Sequence, residues 1–417
     1  MSKEGPIALV PLVSSLHDPE ATREVVDMYA SWLAGSYDLV LNPVSDAEAL
    51  ASAGLGGASG VLALAVTGGT ERLIQAAASL GKPMVILAHE SMNSLPAALE
   101  AASSLGPSRP PQLLFGQGEA ELRAAKRFVS SAKALNRIRK HKIGLVGGPS
   151  SWLTYSLPNE AALSGHLGIE VVTLPMEEFD SEYALSGGVA ASMSRDAQIR
   201  APVSDGITKD DFDKSAKVYA SLRSLLEKHD LTSLSVRCFD FIGKYGATGC
   251  YGVAMLNDQG IVAGCEGDIP ATVAMLTLSE VSGSPTFLAN PSSIEGRKLT
   301  MAHCTIAPKL TKGYRYRTHF ESGLGVAISG SLREGERVTV VRFSNDFGVL
   351  RAGEGIITRG EAWSEKLCRT QVEITMDGNA ELIRERPMGN HLVIAYGSHL
   401  QILHGVASLA GIEFEAI

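Results

Sequence analysis

Short apolar runs alternate with helix-period segments over the first two thirds of the chain, and that alternation leaves few architectures open. Runs at 7–12, 37–41, 60–65, 83–88 and 112–115 read as buried strands, while 20–33, 46–53, 70–80 and 94–104 carry apolar residues at helical spacing. Strands and helices in strict alternation predict a parallel sheet covered on both faces. A charged helix at 119–140 leads out of this layer, so the first domain is expected at residues 1–140. The pattern restarts with strands at 142–146, 168–174 and 233–237, which predicts a second α/β domain at 141–285. Both are expected to be of the Rossmann or flavodoxin-like kind. Within the second, the insertion at 177–231 holds an amphipathic helix at 209–227 and a polar stretch at 192–208 that reads as loop or broken helix. From residue 286 the period falls to two. Segments 298–305, 324–330, 337–342, 349–358, 370–376 and 382–386 alternate apolar and polar residues between turns such as Asp377-Gly378-Asn379. They predict an antiparallel β-barrel-like domain at 286–417, closed by a helix at 393–410.

Composition narrows the function classes. A chain of 417 residues exceeds the roughly 250–300 at which one core usually stops growing, in keeping with several domains. With 45% hydrophobic and 20% charged residues it is neither disordered nor fibrous. Thirty-seven Lys and Arg against 45 Asp and Glu give a net charge of −8 with no long basic run, which argues against nucleic acid as a partner. No window approaches the about 18 uncharged apolar residues of a membrane span, and the opening Met-Ser-Lys-Glu-Gly-Pro lacks the apolar core of a secretion signal. A cytoplasmic protein without membrane contact is expected. Five cysteines, Cys238, Cys250, Cys265, Cys304 and Cys368, are an odd number with no zinc-type spacing, so they read as small buried hydrophobes rather than a disulfide framework.

Candidate chemistry concentrates at element ends. Gly147-Gly148-Pro149-Ser150 follows a strand, yet neither G-x-G-x-x-G nor G-x-x-x-x-G-K-[ST] is present, so a nucleotide site is poorly supported. A turn or a binding loop remain open readings there, with Trp152 placed to cover an uncharged ligand. Cys265-Glu266-Gly267-Asp268 lies between a predicted strand and a helix with Pro in its first turn. Its two carboxylates suit a helix N-cap, and equally suit metal binding and acid/base work at a sheet's carboxyl edge. His303, in a predicted strand, and His391, in Gly389-Asn390-His391, complete an oxygen and nitrogen set suited to Mn or Co. His319, Glu321 and Ser322 form a third polar cluster that reads as solvated loop or ligand contact.

Taken together, these stretches resemble the L-fucose isomerase and L-arabinose isomerase superfamily. The resemblance is carried by 264–268 with Thr272, Met275 and Leu276, by Thr286 to Asn290, by Ala302-His303, by Asn390-His391 with 394–397, and by Arg237-Cys238-Phe239-Asp240. It covers roughly residues 140–417, the first third agreeing only in its α/β pattern. What it implies is a metal-dependent aldose-ketose isomerase acting on a small sugar through an enediol, with Mn2+ or another divalent ion, assembled as a homotrimer or homohexamer. Carried over by position, Glu266 matches a metal ligand that is also acid/base, Asp268 the aspartate of a Glu-x-Asp motif, and His303 and His391 metal ligands. Asn290, Asn390, His319, Glu321 and Trp152 are the substrate-binding candidates. Ala289-Asn290 stands where arabinose isomerases carry a second metal-binding glutamate, and Cys250 stands near the upstream glutamate of fucose isomerases. Asp240 or Asp268 is the expected acid/base partner of Glu266. A sugar- or sugar-phosphate-binding relative without turnover is the alternative.

Overall fold

The computed structural model describes residues 4–105, 111–203 and 206–417. The chain forms two compact units, Met1–Arg137 and Ile138–Ile417.

The first unit is a five-stranded, wholly parallel sheet in the order Leu39–Val40, Ile7–Leu12, Gly60–Ala65, Met84–Ala88, Gln112–Phe115. That is the flavodoxin-like order. Every residue of the three central strands is buried, as unbroken apolar runs between helix layers require. The expected strand at 37–41 pairs over only two residues, both exposed, because it is the sheet edge and has a neighbour on one side alone.

The second unit begins with a four-stranded parallel sheet ordered Glu170–Leu174, Lys142–Val146, Ser233–Val236, Ala263–Cys265. The buried helix Ile269–Ser282 leads from it into six antiparallel strands that close on themselves. Arg337–Phe343 pairs Leu392–Tyr396, which pairs Phe287–Glu295, then Lys298–His303, Thr370–Met376 and Val349–Arg359, which returns to Arg337–Phe343. The expected antiparallel barrel is present. Closure removes open sheet edges, and Glu413–Ala416 adds a parallel strand alongside Val349–Arg359. One hydrophobic core runs from Val146, Leu234 and Met255 to Leu299, Val340 and Ile374, so the α/β layer and the barrel are packed as a single unit.

Four expectations change. Most of 192–208 belongs to the helix Gly187–Arg200, and residues 204 and 205 lie outside the described residues. The insertion is three helices, Met176–Leu185, Gly187–Arg200 and Lys209–Lys228, the last opened by a Thr208/Asp211 capping box. Segment 382–386 is the short helix Leu382–Glu385, not a strand. Segment 393–410 is not one helix but the barrel strand Leu392–Tyr396 followed by the helix Leu400–Ala410; Gly397, at φ 104°, turns the chain between them. Among the described residues no helix is long and apolar enough to cross a membrane.

Candidate metal centre

The strand Ala263–Cys265 ends in a turn that turns one carboxylate toward a cleft and buries the other. Glu266 has φ 62° and Gly267 φ 73°. The second position admits only glycine, since a Cβ there would collide with the Gly148 carbonyl and stand 2.7 Å from Pro149 Cα. Ser150 N donates to the Glu266 carbonyl at 2.9 Å, so the 147–150 turn braces the 265–268 turn. Left-handed backbone at a glutamate is strained, and strain of this kind collects where a side chain must point in a set direction.

Glu266, His303 and His391 converge. They come from the sheet's carboxyl edge, the end of one barrel strand and the start of another, all are buried, and one ligand atom from each lies within 4.8 Å of the others. The two histidine rings meet edge to face at 5.7 Å. Each has one nitrogen engaged: Nδ1 of His303 with Thr305 Oγ1 at 2.9 Å, Nδ1 of His391 with Asp268 Oδ2 at 2.9 Å. Nε2 of His391 is fully buried, makes no hydrogen bond, and lies 3.5 Å from Glu266 Oε1. A divalent ion fits this donor set, because a ligating imidazole characteristically gives its other N–H to a carboxylate or hydroxyl and keeps one nitrogen for the metal.

Asp268 takes a different place from the one expected of a ligand. It is fully buried, caps the helix Ile269–Ser282 through Oδ1 to Ala271 N at 2.8 Å, and receives Nη1 of Arg342 on both oxygens at 3.0 and 3.1 Å. With its oxygens spent on the cap, Arg342 and His391, it stands behind the Glu266, His303 and His391 group and holds His391. Capping and site chemistry, the two readings of this carboxylate, are therefore both part of its geometry.

Electrostatics follow from this burial. Burial opposes ionisation of Glu266, but His391, the Trp152 indole and His303 outweigh it and hold the carboxyl down to about 2. Asp268, despite its own burial, is held well below the carboxylate range by Arg342 and His391. His391 is pushed up to about 9 against burial by Asp268 and Glu266, whereas burial and the neighbouring His391 push His303 down to about 4. One imidazole carries the proton; the other is neutral.

Outward from Glu266 lies a cleft of about 630 Å³ lined by Trp152, Phe239, Glu266, Asn290, Pro291, Glu321 and Asn390. Trp152 Nε1 donates to Glu266 Oε2 at 2.7 Å, so the two carboxylate oxygens face different ways, Oε1 to the histidines and Oε2 to the cleft. Phe239 packs edge-on against Trp152 at 5.0 Å and against His319 at 5.5 Å. His319 is buried beneath that ring with Nδ1 on Ser322 Oγ at 3.0 Å, while Asn390 Nδ2 reaches Asn290 Oδ1 at 3.4 Å. Asp240 does not line the cleft; Arg237 holds its carboxylate at 2.6 and 2.8 Å, and the adjacent Phe239 is the residue of that segment that enters. Cys238 and Cys265 touch beneath the turn, sulfur to sulfur at 2.9 Å, and remain thiols.

Sequence reasoning missed Phe239, Thr305, Ser156 and Arg342. Two left a signal: Phe239 as a member of the Arg237-Cys238-Phe239-Asp240 stretch, and Arg342 as a guanidinium in the buried run Arg337–Phe343.

The chain is 23% identical over 362 residues to the sulfoquinovose isomerase of Clostridium sp. (strain MSTE9), covering 81% of this chain and 79% of that protein. The chain is a relative of isomerases. It is also 25% identical over 281 residues to the sulfoquinovose isomerases of Priestia megaterium (strain ATCC 12872 / QMB1551) and Priestia aryabhattai, covering 61% of this chain and 58% of each. No protein-family model matches the chain.

Proposed function

We propose that the chain is an aldose-ketose isomerase that moves a hydrogen between C1 and C2 of a small sugar through an enediol. The observation that carries the reading is the buried group Glu266, His303 and His391, with the other oxygen of Glu266 facing a cleft that also holds Glu321. Such a reaction needs a base for a carbon-bound proton and a means of holding negative charge on O1 and O2. A divalent ion of the Mn2+ kind held by these three residues supplies the second when bound. Glu266 Oε2, ionised and fixed by Trp152, accepts the proton from one carbon and returns it to the other. Glu321 moves the proton between the two oxygens, the part the sequence assigned to Asp240 or Asp268; the first is tied to Arg237 and the second to Arg342. Trp152 and Phe239 wall one side of the cleft against water, and Asn290 and Asn390 bind sugar hydroxyls.

The test is proton exchange at C2 in deuterated water, followed by NMR on Mn2+-loaded protein. The panel holds sulfoquinovose, prompted by the names of the relatives, together with uncharged pentoses and hexoses. Exchange with at least one member is expected. Binding of a sugar with no exchange on any member would favour the reading without turnover, which the Ala289-Asn290 pair supports.

A closed homo-oligomer, trimer or hexamer, is part of the proposal. Light scattering at micromolar concentration is expected to give a mass of three or six chains, and a monomer would rule it out.

A further inference from the structure

The side chain that organises the centre is one that no part of the reaction touches. Arg342 is 1% exposed, and each nitrogen of its guanidinium is engaged by a different stretch of chain. Nη1 bonds both oxygens of Asp268, Nη2 donates to Ser156 Oγ at 2.8 Å, and Nε donates to the Met388 carbonyl at 2.7 Å. These contacts lead back to the site by separate routes. Asp268 holds Nδ1 of His391; Met388 lies three residues before His391; Ser156 belongs to the same loop as Trp152, whose indole holds Glu266. Gly389, at φ 93°, lets the chain pass so close that a Cβ there would stand 2.6 Å from Nη2 and 2.7 Å from Ser156 Oγ.

We propose that Arg342 is a positioning residue for the metal centre: its guanidinium fixes Asp268 so that His391 keeps its N–H on Nδ1 and presents Nε2 toward Glu266 and His303. The physical reason is acceptor bookkeeping. An ionised carboxylate only accepts, so the His391 nitrogen facing Asp268 must carry a hydrogen, and Nε2 is the nitrogen whose lone pair a metal can take. Asp268 keeps that charge in a fully buried place because Nη1 of Arg342 pairs it while Nη2 and Nε are held by Ser156 and the Met388 carbonyl, a three-way hold that the single nitrogen of a lysine does not reproduce. Burying an aspartate unpaired is costly, so the arginine both permits the carboxylate and aims it. This inference rests on the reading of Glu266, His303 and His391 as metal-binding.

The experiment is Mn2+ titration by calorimetry of wild type, Arg342→Lys, Asp268→Asn and the double variant, with thermal unfolding of each metal-free protein alongside. Asn keeps the cap oxygen of Asp268, so that variant is expected to fold. Each single variant should bind Mn2+ about 10-fold to 100-fold more weakly, the range for partners that orient a ligand. The double variant should be no weaker than the worse single, because both act through one chain of bonds. A purely structural arginine would lower the unfolding temperature and leave the affinity of the folded protein unmoved. Arg342→Lys that binds within twofold of wild type, that adds independently to Asp268→Asn, or that does not fold at all would overturn the inference. Absence of Mn2+ binding by wild type would instead overturn the metal reading.

Discussion

Glu266→Gln is expected to reduce C2 proton exchange by about 1,000-fold or more, within the range that positioned general bases supply. The amide keeps the shape and a single oxygen, which serves either the histidines or Trp152 but not both, and it has no lone pair basic enough to take a proton from carbon. The circular dichroism spectrum should be unchanged, and some Mn2+ affinity should remain. Asp240→Asn is the contrast, with exchange within a few-fold of wild type, because that carboxylate is bound to Arg237 outside the cleft. Exchange by Glu266→Gln within tenfold of wild type would move the base to Glu321.

The second large effect is the pH dependence of metal binding. Before metal enters, His391 holds a proton up to about 9, whereas His303, down at about 4, and Glu266, at about 2, have already lost theirs. Metal must therefore displace one proton between about 4 and about 9, and the apparent affinity should rise tenfold per pH unit across that window. From pH 5 to pH 8 the gain is about 1,000-fold. Metal-free stability moves the other way. The folded value of His391 is raised above its ordinary 6.5, so the stability it contributes is complete below 6.5 and is lost as pH climbs to about 9. Two and a half units correspond to roughly 3 kcal/mol. Calorimetry in buffers of different ionisation heat counts the released proton. A flat affinity between pH 5 and pH 8 would show that His391 is not a ligand.

What could be read from the chain and what could not divide along the range of the interactions. The parallel sheets were legible because unbroken apolar runs such as 7–12 and 60–65 mark strands buried on both faces, and the barrel because strands such as Thr370–Met376 keep a period of two. The segment 393–410 misled for a related reason. An apolar run carries no period that separates a buried strand from a buried helix, and Gly397 alone marks the break. At the site, residue types and punctuation singled out Glu266, His303 and His391, which the fold does bring together. Asp268 was legible as a residue and illegible as a role, since Arg342, the group that occupies its oxygens, lies 74 positions downstream on a different sheet. Asp240 illustrates the reverse: an acidic residue in a suggestive segment, three positions from the arginine that engages it.

The left-handed glutamate has an evolutionary consequence. At φ 62° Glu266 stands in a conformation that glycine adopts freely and that asparagine tolerates far better than most residues. Drift at this codon toward either would relax the backbone and remove the carboxylate in the same stroke, so a lineage released from selection for turnover gains stability by abandoning the residue. A glutamate in that conformation costs the fold stability that a glycine would return, so this chain keeps the carboxylate at the expense of its backbone.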